Sequence, residues 1–339
     1  MSTVHLTQAD ETDHVFAGEP VVVGRTLRQL AWLRIKRDKL ALLSIAVLVL
    51  VAIFAIFAPF ICHLLQIDPY SFNSVLISDN GGLPNGHLGG VTLAHPLGVE
   101  PSTGRDIFAR LLYGSRTSLL IAISSTVLTV TTGVVVGIIA GNARGFTHTF
   151  LNRFMELILS FPFLLLVIAM FPVLQQRIHS LGIAEPDSAH PSNLFTSNIV
   201  TLIALLSVFG WAYLAKVIQG QVVSLREREF VEAAISIGSS TRRIIFVELL
   251  PNLWAPILVY TTLALPSLIG VEAALGYLGV TVSPPTASWG SMLDDSVGYF
   301  TVDPFYFLVP LTLLIVVVLA FNLLGDALRD ALDPQADRT

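Results

Sequence analysis

Few side chains in this sequence are of a kind that does chemistry inside an apolar chain. Glu156, Lys216 and Glu272 are ionisable groups in or beside long uncharged stretches. Inside a membrane such groups mark ion or substrate pathways, or pair with a neighbour. All three sit within a few residues of the ends of their stretches, and no stretch has a carboxylate at its centre. An ion-coupled secondary transporter therefore has little to work with. Ser44, Ser124, Ser125, Ser160 and Ser207 also lie in apolar stretches, none with a histidine or aspartate beside it there. They read as hydrogen-bonding groups between helices, not as the nucleophile of an intramembrane hydrolase. Cys62 is the only cysteine, which excludes an internal disulfide and a cysteine-built metal site. The eight histidines show no HExxH or paired spacing, so no metal and no cofactor is expected. A phosphate-cradling loop needs GxxxxGK[ST], and Lys36, Lys39 and Lys216, the only lysines, lack that glycine pattern. The chain is not expected to hydrolyse ATP or to be an enzyme, and nothing in it points to nucleic acid.

The elements that must position these groups are membrane spans. Of 339 residues 53% are hydrophobic and 13% charged, about half the charge of a soluble domain. Apolar segments long enough to cross a bilayer, which takes about 20 residues, lie near 40–62, 117–141, 151–173, 198–220, 252–275 and 305–325. Gly133, Gly137, Pro162, Pro172, Gly210, Pro256 and Pro266 fall inside them, tolerable where neighbouring helices satisfy the backbone. The first segment follows Arg34, Lys36, Arg37 and Lys39 and is too long for a cleaved signal, so it is expected to stay as an anchor.

Six spans place both termini on one side. With the N-terminus inside, fifteen lysines and arginines fall on inner segments and four (Arg105, Arg110, Arg116, Arg177) on outer ones, which predicts cytoplasmic termini. The chain then divides into a cytoplasmic segment 1–39, a first span 40–62, an extracytoplasmic segment 63–115, a core 116–326 and a cytoplasmic tail 327–339. The segment 63–115, rich in Gly, Pro and Asn (Asn80 to Gly86), predicts turns with little regular structure. It and residues 174–197 are expected as surface loops, or as a docking surface for an outer partner.

One inner loop, 221–251, has a pattern of its own. Ser224 and Glu227 have the spacing of a capping box. Phe230, Ala233, Ala234 and Ile237 recur at helical spacing as one apolar stripe, with Glu229, Glu232 and Ser236 opposite. Gly238 is a natural helix stop. A second stretch from Thr241 is expected to end at Leu250 and Pro251, where the fifth span begins. A helix lying on lipid and a helix gripping another protein both fit this pattern.

The sequence Glu232, Ala233, Ala234, then Gly238, then Leu250 and Pro251 resembles the EAA loop of permease subunits in binding-protein-dependent ABC importers. Gln221 to Phe230 resembles the dipeptide/oligopeptide/nickel branch of that family. So do His95 to Gly98, Gly104 to Asp106, Arg110 to Leu119, Glu272 to Leu275, Leu278 and Gly279, Pro284 to Thr286, Ser288 to Gly290, Asn322 to Asp326, and Leu328 to Pro334. The basic lead into the first span is similar to the C-type subunit. The resemblance implies an all-α, polytopic, type I ABC importer permease fold of about six transmembrane helices in the inner (plasma) membrane. It also implies a second homologous permease subunit, two ABC ATPase subunits, an extracytoplasmic solute-binding protein and membrane lipid as partners. The ATPase-coupling residues would be Phe230, Glu232, Ala233, Ala234, Ile237, Gly238, Leu250 and Pro251. Cargo would be di- or oligopeptides, with nickel or another small solute as the alternative. Glu272 begins a second Glu-Ala-Ala triplet, but at the outer end of the fifth span, where it is expected in helix packing or the substrate path. Glu156 falls where the family often has aspartate, for hydrogen bonding or substrate contact. Gly98 to Asp106 is one residue longer than the family pattern, and residues 63–94 are also long.

Overall fold

Uncharged runs separated by proline, glycine and polar turns dictate long helices, because backbone groups in hydrocarbon must be satisfied within the segment itself. The computed structural model describes residues 35–78, 82–185 and 193–332. The predicted N-terminal segment up to residue 34 with Arg25, Arg28 and Arg34, the turn residues Asn80 and Gly81, residues 186–192, and the tail from Asp333 with Arg338 lie outside the described residues.

Among the described residues the principal elements are α1 (Lys39–Leu65), α2 (Ile107–Asn142), α3 (Phe146–Ser160), α4 (Phe163–Ser180), α5 (Ser197–Arg226), α6 (Glu229–Ser236), α7 (Thr241–Tyr277), α8 (Trp289–Val297) and α9 (Pro304–Leu332). No strand occurs among them, only isolated bridges. Six of these helices, α1, α2, α4, α5, α7 and α9, are long and apolar enough to cross a membrane. Aspartates start two of them. The Asp38 carboxylate accepts from the amides of Leu40 and Ala41, and Asp106 from that of Ala109, which satisfies donors left free at a helix start.

Small residues set the packing of α2 on α5. Gly133, Gly137 and Gly141 form a column on α2 facing Leu214, Ile218 and Val222 of α5. A Cβ at Gly137 would lie 2.7 Å from the Ala215 carbonyl oxygen, so only glycine permits this approach. The N-terminal end of α1 meets the C-terminal end of α9, where Ile35, Ala41 and Ala331 cluster. At the other end of α1, Ala58 and Cys62 pack on Ala109 and Leu112 at the start of α2. The described chain therefore begins and ends at one end of the bundle.

Four expectations need correction. The third apolar segment is not a single helix over 151–173. It breaks at Phe161 and Pro162, because proline has no amide hydrogen and holds the preceding residue extended (Phe161 φ −83°, ψ 140°). The span is α4, and α3 is a separate helix. Second, Ser224 caps nothing. α5 runs on to Arg226, since Val222 is buried over Gly141 and the Arg226 guanidinium donates to the Asn142 carbonyl at 3.0 Å. Third, the helix from Thr241 does not end at Pro251. It passes through as α7 after a π-helical stretch, Ile244–Leu249. A proline ring collides with the carbonyl four residues back in an α-helix, and the wider turn relieves that collision. Fourth, regular helix already begins at Ile107 within the segment expected as turns.

Candidate functional site

The inner loop folds into α6, a two-turn helix at the end of the bundle where the described chain begins and ends. Arg228 precedes it with no side-chain cap. At its C-terminal end Gly238 takes φ +78°, the Gly238 amide donates to Ile235 O at 2.9 Å, and the Ser239 amide to Ala234 O at 3.0 Å. This is a Schellman closure, and it needs the left-handed conformation that glycine adopts without steric cost.

The predicted apolar stripe is split. Val231 is buried against Val222, Leu249 and Leu253, and Ala234, three residues on, is buried on the same face. Phe230 (41% exposed), Ala233 and Ile237 (81% exposed) point outward, as does Glu232. Two turns have room to seat one narrow face, so the small inward pair fixes the helix and the larger apolar side chains stay uncovered. Leu250 is half-buried beside the same cluster, and Pro251 is exposed. The structure thus buries Ala234 and half-buries Leu250, and leaves Phe230, Glu232, Ala233 and Ile237 free to meet another surface. Val231 and Leu249 were missed by sequence reasoning. Their signal was a second apolar spacing, 231/234, hidden inside the first.

The two other predicted carboxylates have different surroundings. Glu156 on α3 is half-exposed and pairs with Lys216 of α5 (3.2 Å) and Arg153 (3.1 Å). Glu272 on α7 is wholly buried, and the Ser118 hydroxyl donates to it at 2.9 Å. The Trp289 amide donates in turn to Ser118, and its indole to Ser115. Beside them, Gly276 of α7 and Gly290 of α8 touch backbone to backbone.

The opposite end carries a feature the sequence reading did not anticipate. Within the segment read as turns, residues 98–106 pack onto the bundle around a buried charge cluster. Glu100 pairs with Arg105 (2.7 Å) and with Arg110 of α2, Arg110 pairs with Asp295 of α8 (3.2 Å), and the Tyr306 hydroxyl of α9 donates to Glu100 at 2.9 Å. Burial pushes the Asp295 carboxyl above its usual range, partly offset by Arg110. Glu100 lies in the stretch that is one residue longer than the family pattern.

Six spans, a closed two-turn helix between the fourth and fifth, and a tight cap at the far end define a polytopic permease, and comparison with known proteins agrees. Residues 133–338 match the family model described as binding-protein-dependent transport system inner membrane component, and the chain belongs to that family. It is a multi-pass protein of the inner membrane. Residues 26–79 match the N-terminal TM domain of oligopeptide transport permease C. Among individual proteins, the oligopeptide transport system permease protein OppC of Bacillus subtilis (strain 168) is 33% identical over 305 residues, covering 90% of this chain and 88% of that one. OppC of Escherichia coli (strain K12) is 31% identical, covering 96% and 97%. The dipeptide transport system permease protein DppC of Alkalihalophilus pseudofirmus is 33% identical, covering 90% and 89%. A chain of the inward-facing MetNI methionine ABC transporter superposes with a TM-score of 0.51 at 20% identity, covering 66% of this chain and 96% of that one. That likeness is one of fold.

Proposed function

We propose that this chain is one permease subunit of an ATP-driven importer of di- and oligopeptides, and that α6 is the surface by which ATPase subunits drive it. The observation that carries the reading is the divided helix. Val231 seats α6 against α5 and the start of α7 with Ala234 buried beside it on the same face, while Phe230, Ala233 and Ile237 stay uncovered beside Glu232. A helix with lipid as its only partner needs no small residue flanked by a carboxylate at its centre. A protein partner uses both, for close approach and for a directed contact.

The lysine and arginine bias puts α6 and both termini in the cytoplasm. Peptide as cargo follows from the relatives, which are named for oligopeptide and dipeptide transport. The chain's own lysines offer no phosphate loop, so ATP hydrolysis falls to two partner ATPases. A second permease subunit completes the path, and a solute-binding protein delivers cargo to the end capped by residues 98–106. In the cycle, closure of the ATPases pushes α6, and α5 and α7, to which it is joined, rock and expose the path to each side in turn.

Ala233→Trp tests the reading, because Ala233 is exposed and its replacement leaves the seat of α6 intact. In the reconstituted complex, peptide uptake should fall by about tenfold or more, equivalent to losing about 1.4 kcal/mol of coupling, with the permease still folded. Wild-type uptake by this variant sinks the proposal.

A further inference from the structure

At mid-depth in the bundle a cavity of about 250 Å³ opens among α2, α3, α4, α5 and α7. Four hydroxyl groups from three helices line it: Thr129 of α2, Tyr213 of α5, and Tyr260 and Ser267 of α7. Tyr213 falls near the centre of α5 and is 60% exposed. Its ring stacks on that of Tyr260, centroids 6.1 Å apart. Thr129 is buried against Gly210, and its hydroxyl has no hydrogen-bond partner among the described residues. No hydrogen bond from another described residue reaches the hydroxyls of Tyr213, Tyr260 or Ser267.

Hydrocarbon offers a hydroxyl nothing, and tyrosines of membrane proteins gather where the ring is dry and the oxygen wet. The lipid-type surface of this chain looks different: α1 exposes Leu43, Val49, Ile53, Ile56 and Phe57 along one span. Four unpartnered hydroxyls converging at mid-depth require a polar occupant.

We infer that this groove is the chain's share of the translocation path and that its occupant is the peptide backbone in transit. The inference rests on the importer reading above. Hydroxyls both donate and accept, so they match amide N–H and C=O groups alike. The stacked rings add an apolar surface that tolerates any side chain, and the cavity is lined by no carboxylate, lysine, arginine or histidine. Such a wall passes peptides without sorting them by side-chain charge.

The test uses the full complex in proteoliposomes. Cys62, the only cysteine, is buried and leaves a silent background. Tyr213→Cys and Ser267→Cys should both react with a membrane-impermeant maleimide, while Ile56→Cys, on the 70% exposed lipid-type face of α1, should react only with a lipid-soluble one. If Tyr213→Cys or Ser267→Cys behaves like Ile56→Cys while uptake stays ATP-driven, the groove faces lipid and the inference falls, with the importer reading intact. Failure of the wild-type complex to take up peptide would instead remove the importer reading. Should a cysteine variant not assemble, Tyr213→Phe combined with Ser267→Ala replaces it. Peptide uptake should then slow at least about fivefold, the scale of one of the two lost neutral hydrogen bonds, with ATP hydrolysis and the uptake ratio of acidic to basic peptides unchanged. Undiminished uptake overturns the inference.

Discussion

Glu100 stands between two guanidinium groups with almost no access to water. Removing one partner of a buried ion cluster leaves uncompensated charge and costs about 3–5 kcal/mol. Glu100→Gln should therefore lower the thermal midpoint of the purified permease and open the outer segment to limited proteolysis. Glu156→Gln, which loosens a half-exposed pair, should leave that midpoint where it was. In the sequence, Glu156 and Glu272 looked alike, each a lone carboxylate near the end of an apolar run. Their difference depends on helix rotation, which turns Glu272 into Ser118 and Glu156 toward solvent and Lys216. Apolar periodicity on all-round hydrophobic helices does not encode that rotation. Arg110 was read as an outer positive charge at the head of a family-like segment and not as an ion-pair centre, because its partners Glu100 and Asp295 are brought to it by the fold.

At the level of elements, the existence of the helices was legible and their ends were not. Polarity marks where a chain leaves a membrane but not where a helix stops, so α5 overran its predicted end on the strength of Val222 and Arg226. Pro162 was read as tolerable within a span and instead divides α3 from α4. Pro251 was read as a boundary and is instead accommodated by a widened turn. Gly238 behaved as its type predicts. Gly238→Ala meets no neighbouring atom, so its cost is conformational, about 1–2 kcal/mol for a side chain at positive φ. It should fray α6 and weaken ATPase binding without disturbing the spans, as hydrogen exchange and affinity measurements would show. The column on α2 is less forgiving. Gly137→Leu forces a side chain into the α5 backbone, where overpacking costs about 1–3 kcal/mol, and the yield of folded permease should fall accordingly.

At the scale of the whole molecule, two family models cover separate stretches of the chain. Residues 133–338 match the inner membrane component model, and α1 with the first part of the outer segment has its own family model over residues 26–79. Sidedness, proposed from charge alone, is open to direct labelling. In intact cells an impermeant reagent should modify Leu88→Cys, on the exposed outer segment, and should reach Ile237→Cys on α6 only after permeabilisation. The reverse pattern would invert the topology and remove α6 from the cytoplasm.

The glycine column has a mechanical corollary. Helices held apart by flexible side chains absorb a small displacement by changing rotamers, whereas backbones in contact have no such slack. Along Gly133, Gly137 and Gly141, α2 and α5 therefore shift together as one stiff plank. Its far end holds Asn198, which donates to the Thr281 carbonyl at 3.0 Å and to the Ser283 hydroxyl at 2.9 Å. A thrust delivered at the foot of α5 would then arrive undamped at the turn beyond α7, on the opposite face of the membrane.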